Sequence, residues 1–592
     1  MGRIIRKWMS IGIFLLGGML SLAQGMEEKE RIEVVARIAP SVVAIFPPDG
    51  SGGGSGVVIS EDGYVLTNFH VTQPCGAWMK CGLPGGEIFH AVLVGMDPVG
   101  DVALIKMYPP ADWPEEKRKN WRWKPVVWGD SDEVRVGDSV LVLGNPFNFS
   151  SDFSPTVTTG IVSGTHRYQY PAGTLLEYAD CLQVDASINP GNSGGPLFNA
   201  AGELIGINGR CSFEKRGRIH VGVGYAISAN QIQHFLSHLR AGRVVDHATL
   251  GATVVGDELG RPIVETLLET SDAARQGLET GDRLVTFGNR RVNTPNEFKN
   301  VLGIYPKGWH VPIRVVRKTG VATLEEREFW VRLEGVHTEQ ELGNLLSEKF
   351  SPQKKEEGEI PQKILPPELL EQLEQFKDLL KMPPEVASCY EKRDGWANYW
   401  FHRQERERVW REGMGGTSLG WVTKPEAVLK GTLSSGTPWE MRFEAKKTTL
   451  QLPGNAIVWE NTGDWARLPQ PGESGRILPG WTLWRELQRK EPKDFPQLHY
   501  WGLSPERFPE GEPDALYETL DGTIGGVGVR VYFSQAEANL PSRLVCLEME
   551  DWDGHFPWRF HFLEGKEKSL LRVEIWRGAE RIETFNVLEG LK

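Results

Sequence analysis

A serine at position 193 stands in the string Asn189-Pro190-Gly191-Asn192-Ser193-Gly194-Gly195-Pro196. A serine hydroxyl is a weak nucleophile until a base takes its proton. Acyl transfer also needs backbone N–H groups aimed at the developing oxyanion. Glycines on both sides of Ser193 allow a tight turn and bring bare amides beside the hydroxyl. The amides of Gly191 and Ser193 suit that task, with Asn192 as a third candidate. The base is expected from a histidine elsewhere in the chain. His70 lies in Val65-Leu66-Thr67-Asn68-Phe69-His70-Val71, directly after a strand-like run. An orienting acid is expected beside apolar residues, and Asp101 opens the apolar run Asp101-Val102-Ala103-Leu104-Ile105. The chemistry indicated is nucleophilic attack on a carbonyl, with His70 as general base, Asp101 orienting it and Ser193 attacking. The competing reading is a degraded site that keeps only the fold.

The elements that must hold these residues are short strands. Residues 35–240 contain Ser55–Ser60, Tyr64–Thr67, Ala91–Gly95, Val102–Met107, Ser139–Leu143, Cys181–Val184 and Leu204–Asn208, punctuated by Gly, Asn-Pro and Asp-Gly. That pattern predicts an all-β barrel or sandwich. Residues 248–334 form a second β-rich unit, with a helix start at Ser271-Asp272-Ala273-Ala274-Arg275 and another helix near Pro295–Leu302. Residues 336–362 are rich in Lys, Glu and Gln and read as a linker. Pro366 and Pro367 then open a helix whose Leu369, Leu370, Leu373, Phe376, Leu379 and Leu380 share one face. Residues 385–592 form a third unit. In it Trp439, Met441 and Phe443 alternate with charged residues, as do Val527, Val529, Val531 and Phe533. Trp558, Phe560 and Phe562, then Leu571, Val573 and Ile575, repeat the pattern. Period-two alternation predicts antiparallel strands with one buried face.

Further strings carry a resemblance. They are Gly54-Ser55-Gly56, Asp62-Gly63-Tyr64-Val65-Leu66-Thr67-Asn68, Trp128-Gly129-Asp130-Ser131, Val136-Gly137-Asp138, Gly144-Asn145-Pro146-Phe147, Gly160-Ile161-Val162-Ser163 and Gly222-Val223-Gly224-Tyr225-Ala226-Ile227. With the His, Asp, Ser order, which is that of the chymotrypsin-like barrels, they make residues 35–334 resemble the HtrA/Deg family of exported serine proteases. The resemblance implies a mostly β chain. A chymotrypsin-like double β-barrel protease occupies residues 30–245 and one PDZ domain residues 248–334. A charged linker and helix over 335–384 and a tryptophan-rich, antiparallel-sheet-rich domain of uncertain fold over 385–592 complete it. Its curved-sheet pattern suggests an open β-barrel of lipoprotein-sorting type. Thirteen of the 21 tryptophans lie after residue 390, and most are expected in packing.

The PDZ part rests on Gly277-Leu278-Glu279-Thr280-Gly281-Asp282 and on Thr249-Leu250-Gly251-Ala252. The latter resembles the family's carboxylate-binding loop, so Leu250, Gly251 and Ala252 are expected to hold a C-terminal peptide on backbone amides. A PDZ that only packs against its neighbours is the alternative. Asp185 matches a position on the strand before the nucleophile and reads as a buried structural carboxylate. The specificity pocket is expected near Ile207, Asn208, Gly209 and Gly222–Tyr225. No acid stands there to attract a basic side chain, and the family implies small or medium aliphatic residues before the cut. Two departures from the family's pattern are Phe69, where a polar residue is usual, and Asn148, where glycine is usual. Residues 111–127, rich in Trp, Lys and Arg, read as an inserted solvated loop.

Arg3, Arg6 and Lys7, the apolar run Ile11 to Leu22, and Ser21, Ala23 and Gly25 form a secretory signal over residues 1–25. An uncleaved membrane anchor is the alternative, and both readings export the rest. Basic residues number 66 against 78 acidic, a net charge of −12, so no global excess favours nucleic acid. The six cysteines are too few for a disulfide scaffold. In an exported chain the pairs Cys75–Cys81 and Cys181–Cys211, with Cys389–Cys546, are expected, against the alternative of buried thiols. No metal or organic cofactor is indicated. The implied partners are unfolded protein or peptide substrates, C-terminal peptides at the PDZ domain and further copies in a homotrimer or larger homo-oligomer. The implied place is the periplasm or another extracytoplasmic space.

Overall fold

The computed structural model describes residues 28–145, 152–169, 176–213, 220–320, 323–338, 340–344, 381–415, 424, 426–461, 463, 465, 475–508, 515–536, 541–550, 556–564 and 571–590. The expected signal, Asn148 and the helix after Pro366 lie outside these residues. The chain divides into two compact units, with one division between residues 233 and 234.

The first unit opens with helix α1 (Glu28–Ile38) and then builds a closed six-strand barrel from β1 (Val42–Phe46), β2 (Gly54–Val58), β3 (Tyr64–Thr67), β4 (Trp78–Gly82), β5 (Ile88–Asp97) and β6 (Val102–Tyr108), in the order β1-β2-β3-β6-β5-β4. A second closed barrel uses β7 (Ser139–Gly144), β8 (Thr156–Gln169), β9 (Tyr178–Val184), β10 (Pro196–Asn199), β11 (Leu204–Phe213) and β12 (His220–Ser228), in the order β10-β11-β12-β9-β8-β7. Closure leaves no unpaired sheet edge. Its interior is β-branched and aliphatic: Val140, Val142, Val162, Leu182, Val184, Leu197 and Ile205 are buried together. This is the double barrel the sequence predicts. Short helices α2 (Phe69–Thr72) and α3 (Glu115–Asn120) lie between strands.

Residues 111–127 are largely exposed, as a solvated loop would be, but their tryptophans are not. Trp113, Trp121 and Trp123 close around buried Phe89, with ring centroids 5.9, 5.8 and 5.7 Å from it. Lys117 lies 3.2 Å over the Trp113 ring. Aromatic rings bury large areas and prefer edge contacts of this kind, so the three rings cover Phe89 while most of the segment, Val127 included, faces water.

The second unit takes α4 (Ala229–Arg240) from residue 234 onward, then a six-stranded sheet of β14 (Ala252–Gly256), β15 (Pro262–Leu267), β16 (Arg283–Phe287), β17 (Arg290–Arg291), β18 (His310–Lys318) and β19 (Leu324–Arg332). Helices α5 (Asp272–Arg275) and α6 (Pro295–Leu302) interrupt it, and β13 (Ala248–Thr249) pairs with β20 (Glu334–Gly335). Thr294 caps α6 by accepting from Glu297 N, which fixes the helix start.

After α7 (Pro384–Ala387), which belongs to the first unit, come α8 (Tyr399–Gly415) and strands β21 (Ala427–Leu433), β22 (Pro438–Phe443), β23 (Lys447–Leu452) and β24 (Asn455–Glu460). Helix α9 (Ile477–Arg489) precedes β25 (Leu498–Pro505), β26 (Leu516–Ile524), β27 (Val527–Ser534), β28 (Leu544–Met549), β29 (Trp558–Glu564), β30 (Leu571–Arg577) and β31 (Glu580–Gly590). These eleven strands form one antiparallel sheet, β24-β23-β22-β21-β31-β30-β29-β28-β27-β26-β25, with β24 and β25 at its ends. Its inward face and α9 bury Trp439, Phe443, Trp481, Trp484, Val531 and Phe560 in one core. The period-two pattern therefore lands where the sequence puts it. Gly525 and Gly526 form the two-residue hairpin between β26 and β27, with Ile524 opposite Val527 and φ of 58° and 80°. Positive φ at both positions is what such a hairpin requires.

Candidate functional site

The base and acid are assembled by the first barrel. β3 ends at Thr67 and the chain turns at Asn68 into α2, which places His70 in the first helical turn. Asp101 sits in the turn before β6, is fully buried, and has φ of 57°. That left-handed backbone is held from outside: Asn68 Nδ2 donates to the Asp101 carbonyl at 2.9 Å and Phe69 N does so at 3.2 Å. Asp97 builds the preceding turn by accepting from Val99 N at 3.1 Å and Gly100 N at 2.8 Å.

The two side chains meet directly. His70 Nδ1 lies 2.7 Å from Asp101 Oδ2, and His70 N donates to Oδ1 at 3.0 Å. The Tyr178 hydroxyl also donates to Oδ2. A carboxylate only accepts, so the imidazole proton sits on Nδ1 and Nε2 is left to accept one. Burial pushes the His70 pKa down, but the charge and hydrogen bond of Asp101 outweigh it and hold the ring above its ordinary value. The His70 side chain keeps 40% of its surface open, while Asp101 keeps none.

The nucleophile loop follows β9 in the second barrel. Gly191 and Gly194 have φ of 105° and 82°. A Cβ on Gly194 would fall 2.2 Å from both Ser55 O and Thr67 Oγ1, so no larger residue fits there. Two residues from other strands clamp the loop. Ser55 N donates to Ser193 O at 2.9 Å and Ser55 Oγ to Gly191 O at 2.6 Å, while Asn145 N donates to Ser55 Oγ at 2.8 Å. Gly194 N donates to Asn208 O and Asn208 N to Gly195 O, each at 2.8 Å.

The amides of Gly191 and Ser193 have no hydrogen-bond partner among the described residues, as an oxyanion site requires. Asn192 does not fit the role expected of it: its amide donates to Asn189 O at 2.9 Å to close the turn. Ser193 Oγ donates to Gly209 O at 3.3 Å, and among the described residues no hydrogen bond joins it to His70. Asp185 is exposed rather than buried, and its carboxylate caps Ile161 N at 2.7 Å. Of the pocket residues, Ile207 and Asn208 are buried, and Asn208 Nδ2 donates to Pro196 O at 2.9 Å. Phe69, the departure before His70, is buried against the barrel.

In the second unit, Leu250 is buried and its amide has no partner among the described residues. Gly251 has φ of 71°, and its amide accepts no free role as drawn from sequence, because it donates to Thr249 Oγ1 at 3.2 Å. Ala252 starts β14 opposite Leu267. Among the described residues β14 pairs only with β15, and α6 packs beside it.

Among the described residues none of the expected disulfides is formed. Cys75, Cys81, Cys181, Cys389 and Cys546 are buried thiols, and the Cys211 side chain lies outside the described residues. Each thiol is turned into its own core: Cys75 Sγ lies 3.4 Å from Val71 O and Cys181 Sγ 3.5 Å from Ala179 O. Asp132, His166 and Asp180 bring ligand-type atoms within 4.8 Å of one another. Hydrogen bonding accounts for that cluster, because Asp180 holds His166 Nδ1 at 2.6 Å and Ser228 Oγ at 2.9 Å.

Sequence reasoning missed Ser55 and Tyr178 as members of the site, and placed Asn208 in the specificity pocket without seeing that it clamps the Ser193 loop. Ser55 was visible only as part of a glycine-flanked string, and nothing in its spacing showed which loop it would clamp.

Residues 54–207 match the trypsin-like peptidase domain. The chain is 35% identical over 277 residues to the periplasmic serine endoprotease DegP of Escherichia coli strain K12, covering 45% of this chain and 54% of that protein. It is 31% identical over 276 residues to a probable periplasmic DegP-like serine endoprotease of Chlamydia muridarum, covering 45% and 51%. The chain thus spans about half the length of the curated relatives it matches. Among solved structures it is similar to the HtrA-type protease AlgW with a tripeptide, at 31% identity, 52% of this chain, 98% of that chain and a TM-score of 0.40. Its protease portion, with a double barrel in place, is thus similar to a trypsin-like peptidase domain and to DegP-type serine endoproteases.

Proposed function

We propose that the chain is an exported serine endopeptidase that hydrolyses peptide bonds of unfolded or damaged proteins. The observation that carries this reading is the His70–Asp101 pair at 2.7 Å, set in the same double barrel as a glycine-shaped Ser193 loop with two uncommitted amides. In the reaction, Ser193 Oγ leaves Gly209 O by rotation about its side chain and passes its proton to His70 Nε2 as it attacks the scissile carbonyl. The Gly191 and Ser193 amides receive the oxyanion. His70 then returns the proton to the leaving amine, and water repeats the sequence on the acyl-enzyme. Asp101 fixes the ring and stabilises its charged form.

Periplasmic relatives support an extracytoplasmic place of action. The exposed edge of β14 beside α6, with Leu250 and Gly251 at its start, supports a PDZ domain that adds a C-terminal peptide as an extra strand. There the Thr249 hydroxyl yields Gly251 N to the carboxylate. The family resemblance supports assembly as a homotrimer.

One observation favours a second reading, a peptide-binding protein without turnover: Ser193 Oγ is turned to Gly209 O. Labelling by a serine-directed fluorophosphonate, together with cleavage of an unfolded protein, separates the two. The wild type is expected to label and cut, and Ser193→Ala to do neither, with a loss on the order of 10⁶ in turnover. A wild type that does neither, with and without C-terminal peptides, would bring the binding reading forward.

A further inference from the structure

Asp101 Oδ2 accepts two hydrogen bonds, one from His70 Nδ1 and one from the Tyr178 hydroxyl. Tyr178 opens β9, the strand that leads into the nucleophile loop, and is 2% exposed. The same side chain lies against Gly209: a Cβ built there would fall 2.7 Å from Tyr178 Cε1 and 3.2 Å from its hydroxyl. Gly209 in turn supplies the carbonyl that holds Ser193 Oγ. One buried phenol therefore touches the acid of the triad and the residue at which the nucleophile rests.

We propose that Tyr178 is a positioning residue, whose hydroxyl fixes the Asp101 carboxylate and through it the orientation and basicity of His70. The inference rests on the protease reading above. The physical argument is one of shared lone pairs. A phenol O–H on Oδ2 takes part of the negative charge that otherwise faces the imidazole alone. It also stops the carboxylate from rotating away from His70, because Oδ1 is held by His70 N at 3.0 Å and Oδ2 from the opposite barrel. The ionisable groups facing the ring are Asp101, from the turn before β6, and behind it Tyr178, from β9. The loop 189–195 brings no charged residue, and Asp101 is the charge that bears on His70.

The experiment measures the second-order rate of fluorophosphonate labelling against pH for the mature full-length chain, with Ser193→Ala as the blank. In Tyr178→Phe, Oδ2 faces His70 alone, so the imidazolium is favoured and the acid limb moves to higher pH by about half to one unit. The plateau rate falls about 3- to 30-fold, because the carboxylate orients the ring less well. Gly209→Ala, whose new methyl displaces the phenol, is expected to move the limb in the same direction. Melting temperatures measured alongside show that both variants are folded. A folded Tyr178→Phe and a folded Gly209→Ala, each with limb and plateau unmoved while the wild type labels, would overturn the proposal. A wild type that does not label at all is a different outcome and removes the protease reading together with this one.

Discussion

Two polar clusters in this chain are built on opposite terms. At the Ser193 site, valence is left unspent: two amides lack partners among the described residues, Ser193 Oγ makes one long bond of 3.3 Å, and the His70 ring is open on one side. In the second unit, β19 meets β27–β29 through charged groups that pair with one another. Arg332 donates to Glu548 at 2.5 and 3.1 Å and to Glu506 at 2.8 Å, and Arg559 donates to Glu548 at 2.9 Å. Tyr532 donates to Glu506 at 3.1 Å. Burial would raise the Glu548 carboxyl, but Arg332 and Arg559 outweigh it and hold it low. Glu506 is lowered the same way, by Arg332 and His310 against its burial. The larger pKa perturbations thus sit in the ion-pair network, where Arg332 Nε, His310 Nδ1 and Glu506 Oε2 still make no hydrogen bond among the described residues. Perturbed titration by itself therefore does not mark a function, because structural ion-pair networks shift pKa values as well.

The first way to break the comparison is to take one charge from the closed cluster. Glu548→Gln keeps the shape and leaves Arg332 and Arg559 short of a carboxylate. Breaking a buried pair from one side costs about 3–5 kcal/mol, so the second unit is expected to melt earlier by several degrees in calorimetry. Fluorophosphonate labelling of Ser193, measured below that melting point, stays at the wild-type rate. The pH dependence follows from the lowered carboxyls. Their contribution is present above the unfolded glutamate value, about 4.3, and is lost as pH falls through the folded value. Acid melting of Glu548→Gln is therefore expected to be shallower than that of the wild type. Equal stability of the two proteins at neutral pH would show that the network is not what joins β19 to the sheet.

The matching change at the open site is Gly194→Ala. Its Cβ would stand 2.2 Å from Ser55 O and Thr67 Oγ1, and its φ of 82° is costly for alanine. The loop must shift, which moves the Ser193 amide. Loss of one aligned oxyanion donor lowers turnover about 10²- to 10³-fold. Rapid labelling by this variant would mean that the amide is not aimed at the reacting oxygen.

How much of this was legible in the sequence divides along the same line. Contiguous strings fixed the triad types, the strands around them and the alternation of Trp439, Met441 and Phe443, because period and turn chemistry are local properties. The parts that failed depend on partners far away in the chain. Nothing near Tyr178 announces that its hydroxyl reaches Asp101, 77 residues earlier. The tryptophans of 111–127 looked solvated because their neighbours are Lys, Arg and Glu, yet their rings face Phe89 of β5. Asn192 looked available until its amide was needed to close the turn at Asn189. The Arg332–Glu548 network could not be read at all, since it joins residues 216 apart.

The cysteines give the smallest expected effect and the sharpest check on the two units at once. Burial raises the thiols of Cys81, Cys181 and Cys546 well above their ordinary range and pushes Cys75 up to about 12. The thiolate is the reactive form, so these side chains are inert in the folded chain even where oxidants are present. A disulfide closing a long loop would add about 2–4 kcal/mol, and its reduction would lower the melting temperature by several degrees. With buried thiols, adding dithiothreitol is expected to leave the melting of both units within about one degree. A thiol reagent should react with these four cysteines only after denaturation. A clear downward shift on reduction, in either unit, would restore the pairing that the sequence suggested and show that the unit concerned relies on a covalent link rather than on its core.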